Sequence, residues 1–195
     1  MKSDKPIKVL AINGSPRADG NTSHMLQTIL DICKKADLET ELYQAGGKQV
    51  RGCIGCGKCG EHKGKCEFDD WINELYPKMA SADAIILGSP TYFADVSTEM
   101  KAIIDRCGFI ALRDDRSLSR KVGAAVTAVR RAGGTHTLDS MQHFLTINDM
   151  IIPGSTYWGM SLSRAKGEYE QDSEGIAIMT RLGENIVWLL NKIVE

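Results

Sequence analysis

Two short, uninterrupted apolar runs constrain the fold of this chain more than any other feature. Lys8-Val9-Leu10-Ala11-Ile12 and Ala84-Ile85-Ile86-Leu87-Gly88 show no alternation of apolar with polar residues. Strands made from them must therefore be covered on both faces. Residues 39–43 and 121–126 add a second and a fourth strand, and Met150-Ile151-Ile152 a short fifth. Between the strands, apolar residues recur at helical spacing: Leu26, Ile29, Leu30 and Cys33, then Met100, Ile103, Ile104 and Cys107 behind a candidate cap at Ser97. Asp69 and Asp70 can cap a helix running to about Ala80, a further helix is expected over residues 137–148, and Ile176, Met179, Leu182, Ile186, Leu189 and Ile193 mark the last. Strand–helix alternation of this kind predicts an α/β fold with a five-stranded, doubly wound parallel sheet. The 195 residues suit one domain spanning the chain.

In such sheets ligands bind beyond the carboxyl ends of the strands. The loops expected there, residues 13–22, 88–96 and 128–136, are all unusual in composition. The first reads Asn13-Gly14-Ser15-Pro16-Arg17 and ends in Gly20-Asn21-Thr22-Ser23. A helix N-terminus offers unpaired N–H groups and partial positive charge, which attract phosphate. Ser15, Asn21, Thr22 and Ser23 add neutral donors and Arg17 a charge-assisted one. The segment matches neither G-x-G-x-x-G nor a Walker loop, which disfavours dinucleotide and ATP sites. An ordinary turn capped by Ser, Asn and Thr is the competing reading.

Gly14-Ser15-Pro16-Arg17 with Asn21-Thr22 resembles the FMN-phosphate loop of the NADPH-dependent FMN reductase branch of the flavodoxin superfamily. Gly88-Ser89-Pro90-Thr91-Tyr92-Phe93 resembles its second flavin loop, and residues 127–134 stand where its third lies. The resemblance covers essentially the whole chain. It implies a flavodoxin-like sheet order and bound FMN, with Pro90, Thr91, Tyr92 and Phe93 bordering the isoalloxazine ring. The third loop contributes Arg130, Arg131 and Gly133 to cofactor binding, and the two arginines read as donors near the flavin N1–O2 edge, where negative charge accumulates on reduction. Against that, Tyr92 and Phe93 could equally be packing aromatics, and Arg130 and Arg131 solvated surface charges.

Four of the six cysteines crowd into a glycine-rich segment at about residues 46–68, as Cys53-x2-Cys56-x2-Cys59-x6-Cys66. The first three have the short spacing that bacterial ferredoxins use for a cubane cluster. Structural zinc sites more often use two separated pairs. Zinc, a site shared with His62, and a metal-free thiol loop remain open, and Glu67 stands where a ferredoxin has proline. The spacing resembles the compact motif of the iron-sulfur flavoprotein family, which implies a [4Fe-4S] cluster beside the flavin and a homotetramer built from dimers. Lys48, Arg51, Lys58, Lys63 and Lys65 face one acid, Glu61, between residues 48 and 66. That excess of cations is expected to raise the cluster potential, and charge reversal at Lys58 and Lys65 to lower it. Cys33 and Cys107, on apolar helical stripes, are expected to be buried thiols.

Apolar residues make up 43% of the chain, charged residues 25%, and the formal net charge is −1. Nothing in that balance favours nucleic acid or an anionic membrane. The stretch from Met1 to Pro6 leads into a strand-like run with no apolar h-region, and no run is long enough to span a bilayer, so the chain reads as cytoplasmic. The function expected is FMN-dependent oxidoreduction with electron transfer through the cluster. Family resemblance suggests NAD(P)H or a ferredoxin as donor and a quinone or other small acceptor, in a homodimer or homotetramer. Two alternatives stand: an NAD(P)H-dependent FMN or quinone reductase with structural or zinc-binding cysteines, and a flavodoxin-type carrier with no substrate of its own. No general acid or base is apparent, so the flavin would carry the catalysis. Trp158 is placed either in ordinary burial or at a subunit interface against a neighbour's flavin.

Overall fold

The computed structural model describes residues 6–193. The reading of the first five residues therefore lies outside the described residues. Five strands form one parallel sheet in the order β2-β1-β3-β4-β5: β1 is Lys8–Asn13, β2 Glu39–Gln44, β3 Ala84–Pro90, β4 Val122–Val129 and β5 Met160–Leu162. This is the flavodoxin-like doubly wound order. The helices are α1 Asn21–Lys35, α2 Ile72–Ser81, α3 Thr98–Arg113, α4 Gly134–Ile147 and α5 Ser173–Ile193.

The apolar runs are buried on both faces, as their composition requires. Leu10 and Ile12 of β1 and Ile85 and Leu87 of β3 pack with Ile72, Leu75 and Met79 of α2, Met100 and Ile103 of α3, and Phe144 of α4. Their alternates, Val9, Ala11, Ala84 and Ile86, pack with Met25, Leu26 and Ile29 of α1 and Met179, Leu182 and Ile186 of α5. Cys33 and Cys107 are buried in these two layers, and burial pushes both thiols up to about 12. Ser97 caps α3 by accepting a hydrogen bond from Met100 N at 3.3 Å. Asp70, one of the two expected caps of α2, accepts from Ile72 N at 3.1 Å.

The fifth strand is not where the apolar pattern places it. Residues 150–152 contribute one isolated bridge, Ile151 to Val122, and Ile151 and Ile152 lie open to solvent. Pairing instead falls to Met160-Ser161-Leu162, which lies against Thr127–Val129 of β4. The outer half of β4 lies beyond residue 126, where the sequence reading ended that strand, and it selects this partner. Likewise α4 begins at Gly134 rather than 137, because Gly133 holds a left-handed conformation (φ 87°) that starts the helix early. No helix among the described residues is long and apolar enough to cross a membrane.

Candidate functional site

The loops after β1, β3 and β4 converge on one cleft at the carboxyl edge of the sheet. Its walls are Ser15, Arg17, Gly20, Asn21 and Thr22 from the first loop, Pro90, Thr91 and Tyr92 from the second, and Ala128 and Arg130 from the third. Ser163 and Arg164, from the loop after β5, complete it. Ser23, Phe93, Arg131 and Gly133 stand outside the lining.

Local structure explains each placement. The Asn13 side chain bends the first loop: its Oδ1 accepts from Ser15 N at 3.0 Å, and Ser15 Oγ accepts from Arg17 N at 3.2 Å. Neighbours fix that loop from both sides. Gln44 Nε2 donates to Ser15 O at 2.7 Å, and Ser97 Oγ donates to Gly14 O at 2.7 Å. Gly20, at the N-terminus of α1, has no side-chain cap, and the first bond of the helix is His24 N to Gly20 O at 3.1 Å. The preceding N–H groups are therefore open to an anion, the chemistry a phosphate tail needs.

Asn21 has a different task from the one its type predicts. Its Nδ2 donates to Ala165 O at 2.8 Å and its Oδ1 accepts from Tyr169 N at 3.3 Å, so it ties the loop carrying Arg164 to α1. Thr91 is fixed by its hydroxyl neighbours Thr127 and Thr137, each at 3.0 Å. Tyr92 and Asp95 close a tight turn through paired backbone bonds of 2.8 and 3.0 Å, with Phe93 and Ala94 at φ 49° and 63°. That turn drives the Phe93 ring into solvent, with a relative exposure of 108%, so it forms no wall of the cleft within one chain. Gly133 supports the site from behind: a Cβ there would come within 2.8 Å of Ala94. Trp158 is 56% exposed, and its ring lies tilted against Tyr157 with ring centres 4.7 Å apart, which removes the ordinary-burial reading.

A second latch joins the first loop to the last. His24 lies between two carboxylates, Asp19 at 2.6 Å and Glu170, while Lys166 pairs with Asp19. The hydrogen bond to Asp19 raises the His24 pKa first of all; burial opposes it and Glu170 adds to it. A group whose pKa is higher folded than unfolded stabilises fully below the unfolded value of about 6.5 and loses that contribution as pH rises through the folded value. Thermal stability is therefore expected to fall on going upward through that window, and a His24→Gln variant to lack this step. Identical melting profiles of the two proteins across the window would contradict the latch.

All four clustered cysteines line one separate pocket, together with Ile54, Phe68, Arg106, Phe109, Ile110 and Arg113. Asn73 holds its far side, accepting from Cys66 N at 2.8 Å and donating to Cys66 O at 3.1 Å. Burial raises the Cys59 pKa, partly offset by Arg113 nearby. Among the described residues no three His, Cys, Asp or Glu side chains gather closely enough to hold a single metal ion. Tetrahedral zinc needs four ligands around one point. A cubane instead gives each thiolate its own iron, so four sulfurs ringing a common cavity fit it better. The pocket shares no lining residue with the cleft, and its first α3 residue, Arg106, lies about two and a half turns beyond the Ser97 cap.

The expected excess of cations around this loop is reduced in three dimensions, because two of the five cations have carboxylate partners. Lys58 pairs with Glu67, and Lys63 with Asp115 at 3.1 Å. Lys48 lies 4.2 Å from the Tyr43 ring centre and Arg51 4.1 Å from that of Phe68.

A family model for NADPH-dependent FMN reductases matches residues 7–164, the span that contains all four loops of the cleft. The chain belongs to this family. This FMN reductase relative is 36% identical over 187 residues to an iron-sulfur flavoprotein of Methanocaldococcus jannaschii, covering 92% of this chain and 95% of that protein. Its fold matches RosB with a bound flavin intermediate, 8-demethyl-8-formylriboflavin-5'-phosphate, with TM-score 0.69, 16% identity and coverage of 97% and 82%. A flavodoxin from the domain Archaea matches with TM-score 0.62, 14% identity and coverage of 95% and 99%. The chain is an FMN-dependent oxidoreductase. Its uncapped helix start, its neutral and cationic donors and its aromatic rim suit the phosphate tail and ring of FMN.

Proposed function

We propose that this chain binds FMN across the three strand ends and a [4Fe-4S] cluster in the cysteine pocket, linking a two-electron partner to a one-electron partner. The N–H groups at the start of α1, with Ser15, Thr22 and Arg17, hold the phosphate. Pro90, Thr91 and Tyr92 lie along the ring, and Arg130 faces its N1–O2 edge, where a cation favours the reduced state. Arg164, delivered by the Asn21 tether, adds a second cation to the rim. Cys53, Cys56, Cys59 and Cys66 are the four cluster ligands. Bound FMN supplies hydride and single-electron chemistry, so the chain needs no general acid or base of its own. NAD(P)H or a ferredoxin is the donor and a quinone or similar small oxidant the acceptor, in a homodimer or homotetramer. Exposed Phe93 and Trp158 are the aromatic groups available to a neighbouring subunit.

The observation that carries this reading is the grouping of four thiols around one pocket, in a chain whose strand-end loops converge on a second, separate cleft. Anaerobically purified protein is expected to contain about four irons and four acid-labile sulfides per chain and to lose both in a Cys59→Ser variant. Stoichiometric zinc, or wild-type protein free of iron, would overturn the cluster half of the proposal and leave the flavin half standing.

A further inference from the structure

Arg106 has no counterpart among the sequence motifs. It lies mid-way along α3 on the stripe that carries Ile103, Cys107 and Ile110, is 1% exposed, and lines the four-cysteine pocket. An arginine brings five N–H donors in a rigid fork. Its two terminal nitrogens hold both ends of the cysteine loop. Nη1 donates to Asp70 Oδ2 at 2.6 Å and to Arg51 O at 3.3 Å, on the near side of Cys53. Nη2 donates to Asp70 Oδ1 at 2.8 Å and to Phe68 O at 3.5 Å, just past Cys66. The remaining donor, Nε, is buried without a partner, the one such side-chain nitrogen or oxygen among the described residues. Buried donors are almost always satisfied, and one left over beside a pocket indicates an acceptor that occupies the pocket.

We propose that Arg106 tunes the reduction potential of the cluster by donating its Nε–H to one of the cluster's sulfurs. The inference rests on the reading of this pocket as a [4Fe-4S] site. Reduction by one electron, from reduced FMN or from a titrant such as dithionite, adds one negative charge that is shared with the sulfur shell. A fixed N–H donor stabilises the reduced form more than the oxidised form, because the acceptor carries more charge. Asp70 balances the guanidinium charge at short range, so the directed hydrogen bond, rather than net charge, produces the shift. Phe68, Phe109 and Ile110 line the same pocket and keep its dielectric low, which strengthens that bond. Arg106 is thus a positioning and tuning residue, acting on the cluster through a donor that the loop contacts leave free.

The test is an EPR-monitored redox titration of holoprotein and of Arg106→Lys, which keeps a cation for Asp70 and removes Nε. The equilibrium constant for cluster reduction is expected to fall about tenfold, equivalent to about 59 mV for one electron, with the FMN midpoints unchanged. A merely structural role would lower stability or iron content without moving the potential of the clusters retained. A cluster that titrates at the wild-type potential in Arg106→Lys overturns the proposal. If the variant retains no cluster, wild type labelled with 15N-arginine decides. After full reduction by dithionite the flavin is diamagnetic, and hyperfine spectroscopy of the cluster should detect a weakly coupled arginine nitrogen. Absence of that coupling overturns the proposal as well. Wild-type protein without iron or sulfide would instead sink the underlying cluster reading, a result distinct from either of these.

Discussion

Replacing Gly46 with alanine is expected to weaken FMN binding at least about tenfold, although the new methyl group would not face the cleft. Gly46 follows β2 and donates from its N–H to Asn13 O at 2.9 Å, directly behind the first loop of the cleft. A Cβ at this position would lie 2.1 Å from Ser15 O, 2.2 Å from Ser15 C and 2.6 Å from Gly14 O. All three are backbone atoms, so no side-chain rotation relieves the clash. The loop carrying Ser15 and Arg17 has to move instead, and binding constellations tolerate displacements of only about 0.5 Å. Overpacking of this kind costs about 1–3 kcal/mol, and here the strain falls on the segment proposed to bind the phosphate. Gly52 is the control, since a Cβ there meets nothing within 4 Å. Titrating the flavin-free proteins with FMN by fluorescence quenching should show a weakened Gly46→Ala and an unchanged Gly52→Ala. Equal affinities would mean that the loop behind β2 does not position the phosphate site.

The largest loss of stability is expected from Asp70→Ala. Its partner Arg106 has a side chain wholly shielded from solvent, whereas the Asp70 carboxylate is 24% exposed. Removing the carboxylate leaves a buried guanidinium uncompensated, a change that costs about 3–5 kcal/mol. For a chain of this size that is roughly 6–20 °C in melting temperature. The same substitution removes the Oδ1 that accepts from Ile72 N at the start of α2 and the carboxylate that anchors the Arg106 guanidinium between the two ends of the cysteine loop. A surface pair provides the contrast. Lys101 and Asp105, exposed and four residues apart on α3, should contribute no more than about 0.5 kcal/mol. Thermal melts of Asp70→Ala and Lys101→Ala check both values, and similar melting temperatures would show that the buried pair does not hold this region together.

Much of this architecture is legible in the sequence because the physics behind it is local. Unbroken apolar runs at β1 and β3 demand helices on both faces, and Ser97 announces its helix by capping it. The misplaced fifth strand shows the limit of such reasoning. Ile151 and Ile152 have strand-like side chains, yet the pairing positions of β4 that select a partner extend to Val129, and the chain meets them at Met160. β5 is only three residues long and its one buried residue is Ser161, so it lacks the buried apolar run that marks β1 and β3. That single shift hid Ser163 and Arg164, which lie on the loop after the strand. Asn21 was legible as a polar residue at a helix start, but its partners lie more than 140 residues away. The charges of the cysteine loop were legible only in part, because Glu67 and Asp115, which pair with Lys58 and Lys63, lie just beyond the window or far along the chain. Arg106 did leave a trace: a cation at the centre of an apolar helical stripe needs a buried partner.

The proposed grip of three parallel strand ends on one flavin is tested most directly by calorimetric titration of flavin-free protein with FMN and with riboflavin, which lacks the phosphate. The geometry at the start of α1 requires one FMN per chain and much weaker binding of riboflavin. Equal affinity for both ligands, or no heat with either, would contradict it.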